Sequence, residues 1–429
     1  MKLRTILFIF FGLGVAVVLG NSIAGSVIAD RIDEQLKSSP ALRDSGYEIS
    51  YDKLSVNPLL AQILVEGLSV INKFDASKVR AKSLHGSLAY GDLFAYDAAA
   101  QTWRLSSLKL DCDSLDLGLS FLPQHYLAEH LTLDFDGMLT QENVGLDADF
   151  PQKKQTLKLK AQNISVNDAS SPQAAKWVFA VVQAVSEAKT ASGEIIWNPA
   201  ENKIEMRAIH AESEHMTFDY AGEIEYRGSS PVTYQRQRLS DSFNAVFAEP
   251  GVTLTPPHGG GSYYAESGTI QGKLSRRFNK SGRIGGLPEG ELSAKLENLR
   301  IMLPGHVRDR MKQQMLLTIL RLNSDEIPVQ SADIEYRREG ERMTLENTTL
   351  ALKFFTARLN AIARVDDEVL AASQITQGKL ALSQLTGTLK GAIKMYESLS
   401  GNKLPRENDA IFFPITGTLG QPKLKGLPF

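Results

Sequence analysis

The sequence predicts a mainly β protein: an N-terminal transmembrane helix followed by an elongated, curved antiparallel β-sheet or groove with a few amphipathic helices. Three observations carry that reading. Residues 6–29 form an apolar run without a charge. From Tyr47 onward most segments alternate apolar and polar residues, the period-two signature of a strand with one dry and one wet face. Clusters of Pro, Gly, Asn and Asp separate those segments, as turns require.

The first element is the run ILFIFFGLGVAVVLGNSIAGSVIA. As a helix rising 1.5 Å per residue it reaches roughly 36 Å, enough to cross a ~30 Å hydrocarbon core. Lys2 and Arg4 precede it and are expected on the cytoplasmic side, which sends the rest of the chain outward. The competing reading is a cleaved signal peptide, with Ser22 and Ala24 at a small-x-small site. The apolar stretch runs past that site, and Ile28, Ile32 and Leu36 continue it at helical spacing, which favours an uncleaved anchor. Residues 30–46 then read as a juxtamembrane helix or linker and residues 47–429 as the body.

Within the body, LTLDFDGML sets Leu131, Leu133 and Phe135 against Asp134 and Asp136, and KIEMRAIH sets Ile204 and Met206 against Glu205 and Arg207. PAEN separates Trp197 from Ile204 and predicts a hairpin. In LKLDCDSLDLGLSFL the phase set by Leu108, Leu110 and Cys112 slips before Leu115, as at a bulge or short turn. Further strands are expected around residues 79–90, 156–166, 216–226, 268–277, 290–303, 332–337, 342–365 and 378–388. A loose phrase recurs: VEGLSV at 65, AEHLTL at 128, AQNISV at 161, LENLRI at 296 and LENTTL at 345. It reads as a structural unit in which a polar residue marks an edge or bulge before alternation resumes.

Three segments break the alternation and read as helices: 171–189, 304–322 and 389–401. The second carries Arg308, Arg310 and Lys312, candidates for contact with an anionic membrane surface. EPGVTLTPPHGGGSYYAESG, at 249–268, reads as a loop and a hinge between two halves of the body.

The chemistry-bearing residues exclude more than they suggest. A net charge of −2 and a pI near 6.4 provide no positive field for nucleic acid. The single cysteine, Cys112, excludes an intramolecular disulfide framework. His210 and His215 are five apart and would face opposite sides of a strand, so no metal site is expected there. No HExxH, GxSxG or Walker-type Gly-Lys-Ser/Thr occurs. Neither an enzyme nor a cofactor is expected.

Two ends of the body are similar to a known family. GYEISYDKLSVNPLLAQILVEGLSV, with Tyr51, Leu54, Pro58, Leu68 and Val70, resembles the opening strands of the AsmA-like proteins of Gram-negative envelopes. DAIFFPITGTLGQPKLKG, with Pro414, Ile415, Gly417, Thr418, Leu419 and Pro422, resembles their closing segment. The resemblance covers about a tenth of the chain and does not account for the helices at 171–189 and 304–322. It implies a single-pass inner-membrane anchor, a body in the periplasm, and a β-groove engaged in phospholipid traffic or outer-membrane homeostasis.

Physics points the same way, because each methylene exposed to water costs about 0.8 kcal/mol and an apolar strip removes that cost without an active site. The expected groove-lining residues are Leu108, Leu110, Leu131, Leu133, Phe135, Ile204, Met206, Leu350, Leu352 and Phe354. For each, an ordinary sheet core is the competing assignment. The alternative for the whole chain is a periplasmic scaffold that binds other envelope proteins and carries no lipid.

Overall fold

The computed structural model describes residues 29, 33, 46–57, 60–74, 77–94, 104–118, 125–140, 153–167, 188–228, 235–249, 251–254, 262–278, 284–302, 309, 326–367 and 369–425. The described strands are antiparallel and belong to a large open sheet. Two compact units divide the chain, with the main boundary between Gln237 and Arg238 and with residues 215–218 assigned to the second unit.

The first unit contains β1 (Tyr47–Ser50), β2 (Lys53–Asn57), β3 (Gln62–Asn72), β4 (Lys78–Leu88), β5 (Arg104–Gly118), β6 (His125–Thr140), β7 (Gln155–Asn167), β8 (Thr190–Asn198), β9 (Lys203–Glu212) and most of β10 (Met216–Arg227). β1 and β2 both pair with β3, and from β3 each strand pairs with the next. The expected hairpin is the one joining β8 and β9. Trp197 faces Ile204 in register, and Asn202 takes a positive φ of 55° in the turn.

The second unit holds β11 (Gln235–Phe247), which opens just before the boundary, then β12 (Val252–Leu254), β13 (Ser262–Ala265), β14 (Ser267–Phe278), β15 (Ile284–Met302), β16 (Glu326–Glu339), β17 (Arg342–Leu352), β18 (Thr356–Arg364) and β19 (Gln374–Ser383). After these come helix α1 (Gly387–Ser400), β20 (Arg406–Glu407), β21 (Ala410–Thr418) and β22 (Gln421–Leu424). β11 pairs with β14, and the ladder then runs in order from β14 to β19 and on to β21 and β22. α1 ends where the sequence expects, at Gly401, whose φ of 69° is the left-handed C-cap that glycine takes without a Cβ penalty. Leu389, Ile393 and Tyr396 dock α1 on Phe355, Leu382, Ile411 and Phe413, worth about 2 kcal/mol for each large side chain removed from water.

The recurring phrase has a definite structural role in four of its five copies; in AEHLTL the third residue, His130, is not in the left-handed region, and that strand instead contributes Glu129 opposite Ser114 and Asn163. In VEGLSV, AQNISV, LENLRI and LENTTL the third residue is in the left-handed region: Gly67, Asn163, Asn298 and Asn347 have φ of 65°, 49°, 48° and 52°. Glycine and asparagine are the residues that enter this region most readily. Ser114, in CDSLDL, does the same with φ 51°, which explains the phase slip foreseen after Cys112.

In the first unit these residues are not scattered. Gly67 and Ser114 both lie opposite Lys82, and Ser114 and Asn163 both lie opposite Glu129. Apolar positions on either side are three apart instead of two: Val65 and Leu68, Ala81 and Leu84, Cys112 and Leu115, Ala128 and Leu131, Ala161 and Ile164. The result is a crease crossing successive strands at one level, which bends them while returning apolar side chains to the same face. The second unit repeats the device at Asn298, with Ala265 and Gly268, Leu296 and Leu299, and Val329 and Ala332 three apart.

Asn163 Nδ2 donates to Glu129 and Asn298 Nδ2 to Glu266, the same amide-to-carboxylate bond across neighbouring strands in each unit. At Gly67 an added Cβ would lie 2.0 Å from Asp52 Oδ2, so any side chain there would have to displace the Asp52 carboxylate.

Some expectations need correction. Residues 342–365, read as one strand, are the hairpin β17 and β18, closed by a bond from Leu352 N–H to Phe355 O. The segment 249–268, read as a loop and hinge, carries β12 and β13, and the unit boundary falls ahead of it. The segments 171–189 and 304–322 lie outside the described residues except for Ala188, Lys189 and Asp309, as do residues 1–28 of the expected anchor. Among the described residues no helix is long and apolar enough to cross a membrane.

Candidate functional site

Antiparallel register places directly opposed residues on one face of a sheet, so the face of each unit can be followed strand by strand. In the first unit Leu54, Val65, Leu84, Cys112, Leu131, Ala161, Ala191 and Ala211 form one cross-strand row. A second runs through Val56, Ile63, Gly86, Leu110, Leu133, Leu159 and Gly193, and a third through Leu88, Leu108, Phe135, Leu157, Ile195 and Met206. No charged residue stands in these rows.

The register therefore brings together seven of the expected residues. Leu108 faces Phe135, Leu110 faces Leu133, Cys112 faces Leu131, Ile195 faces Met206 and Trp197 faces Ile204. Their exposure is uneven. Leu108, Leu110, Leu133 and Phe135 are buried, whereas Leu131, Ile204 and Met206 are half-buried and Leu159 is 37% exposed. In β7 and β9 the same face is mixed: Leu157, Ala161 and Ala211 stay buried, while Leu159, Ile204 and Met206 are partly open. The Cys112 thiol lies in the closed part, where burial, with Asp111 and Asp113 adding to it, pushes its pKa up to about 12. It is a packing residue and not a nucleophile.

Leu350, Leu352 and Phe354 belong to the second unit and are half-buried. Leu350 sits between Ala332 and Ala357, and Leu352 faces Val329. Leu352 and Phe354 also pack against the cluster under α1, so part of their surface is ordinary core. Arg308, Arg310 and Lys312 lie outside the described residues.

Two ion pairs on the apolar face of the second unit were not anticipated. Asp241 shares a row with Leu274, Gly290, Arg338 and Met343, while Arg276 faces Leu239. Arg276 Nη2 lies 3.2 Å from the buried Asp241 carboxylate. The Arg338 side chain is only 2% exposed. It donates from Nη2 to both Asp367 oxygens at 2.8 Å, from Nε to Gly340 O at 2.7 Å, and from Nη1 to Leu287 O. The sequence signal was available: Asp241 is in phase with Leu239, Phe243 and Ala245, and Arg338 with Ile334 and Tyr336.

The wet face offers ordinary solvated contacts. Ser83 Oγ donates to Asp113 at 2.7 Å and the His130 ring bonds the same carboxylate at 3.0 Å. These bonds, the His130 contact foremost, hold Asp113 below its usual range. Asp113 stands between serine and histidine, so histidine has no hydroxyl proton to accept and the group is no hydrolytic triad. Among the described residues no group of three His, Cys, Asp or Glu side chains could hold a metal ion.

Comparison with known proteins leaves the arrangement to speak for itself: no family model, no curated protein and no solved structure matches this chain.

Proposed function

We propose that the protein shields phospholipid acyl chains against the apolar face of its sheet, held at the inner membrane by its N-terminal apolar run with its body in the periplasm. The observation that supports this most is the set of charge-free rows among the described residues of the first unit, which include the buried Leu110 and Phe135 and the half-open Leu131, Leu159, Ile204 and Met206. The half-open positions have the chemistry of an acyl-chain surface, and the buried ones that of a core supporting it. The resemblance of the opening and closing segments to AsmA-like proteins agrees with this reading, as does the repetition of one bent strand unit. A lipid-free scaffold for other envelope proteins is the second reading, favoured by the burial of Val65, Leu84 and Leu108, which shows that much of this face is satisfied internally.

Photocrosslinking separates the two. p-Benzoylphenylalanine placed at Leu159 or Met206 of the full chain in cells is expected to yield phospholipid adducts detectable by mass spectrometry. The same probe at the exposed wet-face positions Lys158 or Lys160 should yield none. Protein adducts without lipid at Leu159 and Met206 would replace the carrier reading with the scaffold.

A further inference from the structure

We infer that the exposed side of α1 is a docking surface for an anionic lipid bilayer. This concerns attachment to a membrane and not cargo, so it stands or falls separately from the carrier reading.

The helix is fixed on one side by the buried Leu389, Ile393 and Tyr396. On the other side Met395 is 55% exposed and Leu399 is 71% exposed. These two are four residues apart and lie next to each other on the helix surface. Lys390 and Lys394, also four apart and exposed, form the opposite edge of the exposed arc, across Gly391 and Ser398, and exposed Lys403 follows the helix. Among the described residues none of the three lysines is in an ion pair. The only carboxylate of the helix, Glu397, is already engaged: it accepts from Arg406 Nη2 and from Leu404 N–H, each at 2.8 Å. The exposed arc therefore offers an aliphatic pair along one edge and cations along the other, with only small residues between them.

That composition fits a bilayer better than a protein. Protein interfaces are enriched in aromatic residues, Met and Arg and depleted in lysine; this side of α1 offers Met395 but no aromatic anchor, its neighbouring Arg406 is tied to Glu397, and the lysines outnumber Met395. Interfacial helices, by contrast, insert aliphatic side chains while lysines meet headgroup phosphates. Two aliphatic side chains bind weakly alone, so attachment must depend on charge: it requires anionic lipid and weakens with salt.

The test uses the full chain in neutral phosphatidylcholine nanodiscs, with Leu399→Cys carrying an NBD fluorophore; buried Cys112 stays unlabelled. Added vesicles containing phosphatidylglycerol should blue-shift and brighten the probe, and high salt should reverse the change. Pure phosphatidylcholine vesicles, or the probe at Glu335 on the wet face, should give no change. The pair Lys390→Gln and Lys394→Gln should weaken binding about thirtyfold, as two lysines near an anionic surface provide, and arginine at both sites should restore it. Equal response to neutral vesicles, no response to anionic ones, or unchanged binding by the glutamine pair would overturn the inference. So would a response to an envelope protein extract but not to vesicles, which assigns the surface to a protein. If docking fails while lipid adducts persist at Leu159, only the docking inference is lost.

Discussion

The apolar faces of the two units follow the same rule of strand alternation but tolerate charge differently. In the first unit the rows through Leu84, Leu110 and Phe135 contain no charged residue. In the second the corresponding face includes Asp241, Arg276 and Arg338, with Asp367 reaching Arg338 from beyond β18. A buried charge is tolerable when its hydrogen-bonding capacity is filled, and Arg338 makes four of the bonds a guanidinium can make. The difference teaches that the face of the second unit has a fixed polar limit, whereas that of the first has nothing among its described rows to satisfy an intruding charge.

Inverting that difference gives the largest expected effect. Leu110→Asp introduces an unpaired carboxylate where Leu133 and Gly86 are the cross-strand neighbours. It should destabilise the first unit by more than about 4 kcal/mol, the combined loss of apolar burial and charge desolvation. Urea unfolding would measure it. Leu159→Glu, further along the same row at the half-open position, should cost less than about 1 kcal/mol while abolishing lipid adducts. Equal destabilisation at both sites would show the whole face to be one closed core and would remove the support for cargo.

The converse change acts on the second unit. Arg338→Met keeps much of the side-chain volume but leaves Leu287 O and Gly340 O without their donor. Because Asp367 and Gly340 are exposed and Leu287 is half-buried, these acceptors can rehydrate, and the loss should be about 1–2 kcal/mol, from the hydrogen bonds themselves. A neutral or stabilising result in urea unfolding would mean that the guanidinium marks the limit of the apolar face without supporting it.

How much of this could be read from sequence follows from how local each cause is. The β8 and β9 hairpin was legible because Pro199 and Asn202 define its turn within a few residues. The slip after Cys112 was legible because phase is a local property. The turn between β17 and β18 was not, since Lys353, Phe354 and Phe355 lack glycine or proline and continue the apolar pattern. Of the candidate site, the neighbours Leu108, Leu110, Leu131, Leu133 and Phe135 came together because consecutive strands pair. Their division into closed and half-open positions depends on the whole sheet and left no local trace. Arg338 and Asp367 are 29 residues apart, and only the out-of-place charge phase hinted at them.

The smallest effect tests what the units share. Asn298 holds φ at 48° and bonds Glu266, as Asn163 holds 49° and bonds Glu129. Alanine at either site retains the unfavourable left-handed backbone and loses the amide bond, so Asn298→Ala and Asn163→Ala should each lose about 1–2 kcal/mol. Glycine removes the backbone penalty, and since both amide-to-carboxylate bonds are exposed, the lost bond should cost little; each glycine variant should fall within about 0.5 kcal/mol of the parent. If backbone conformation is what the recurring phrase encodes, glycine therefore rescues alanine in both units. If glycine instead loses as much as alanine, the amide-to-carboxylate bond is the conserved element of the crease, and Gly67, which has no amide, must bend β3 by a separate means.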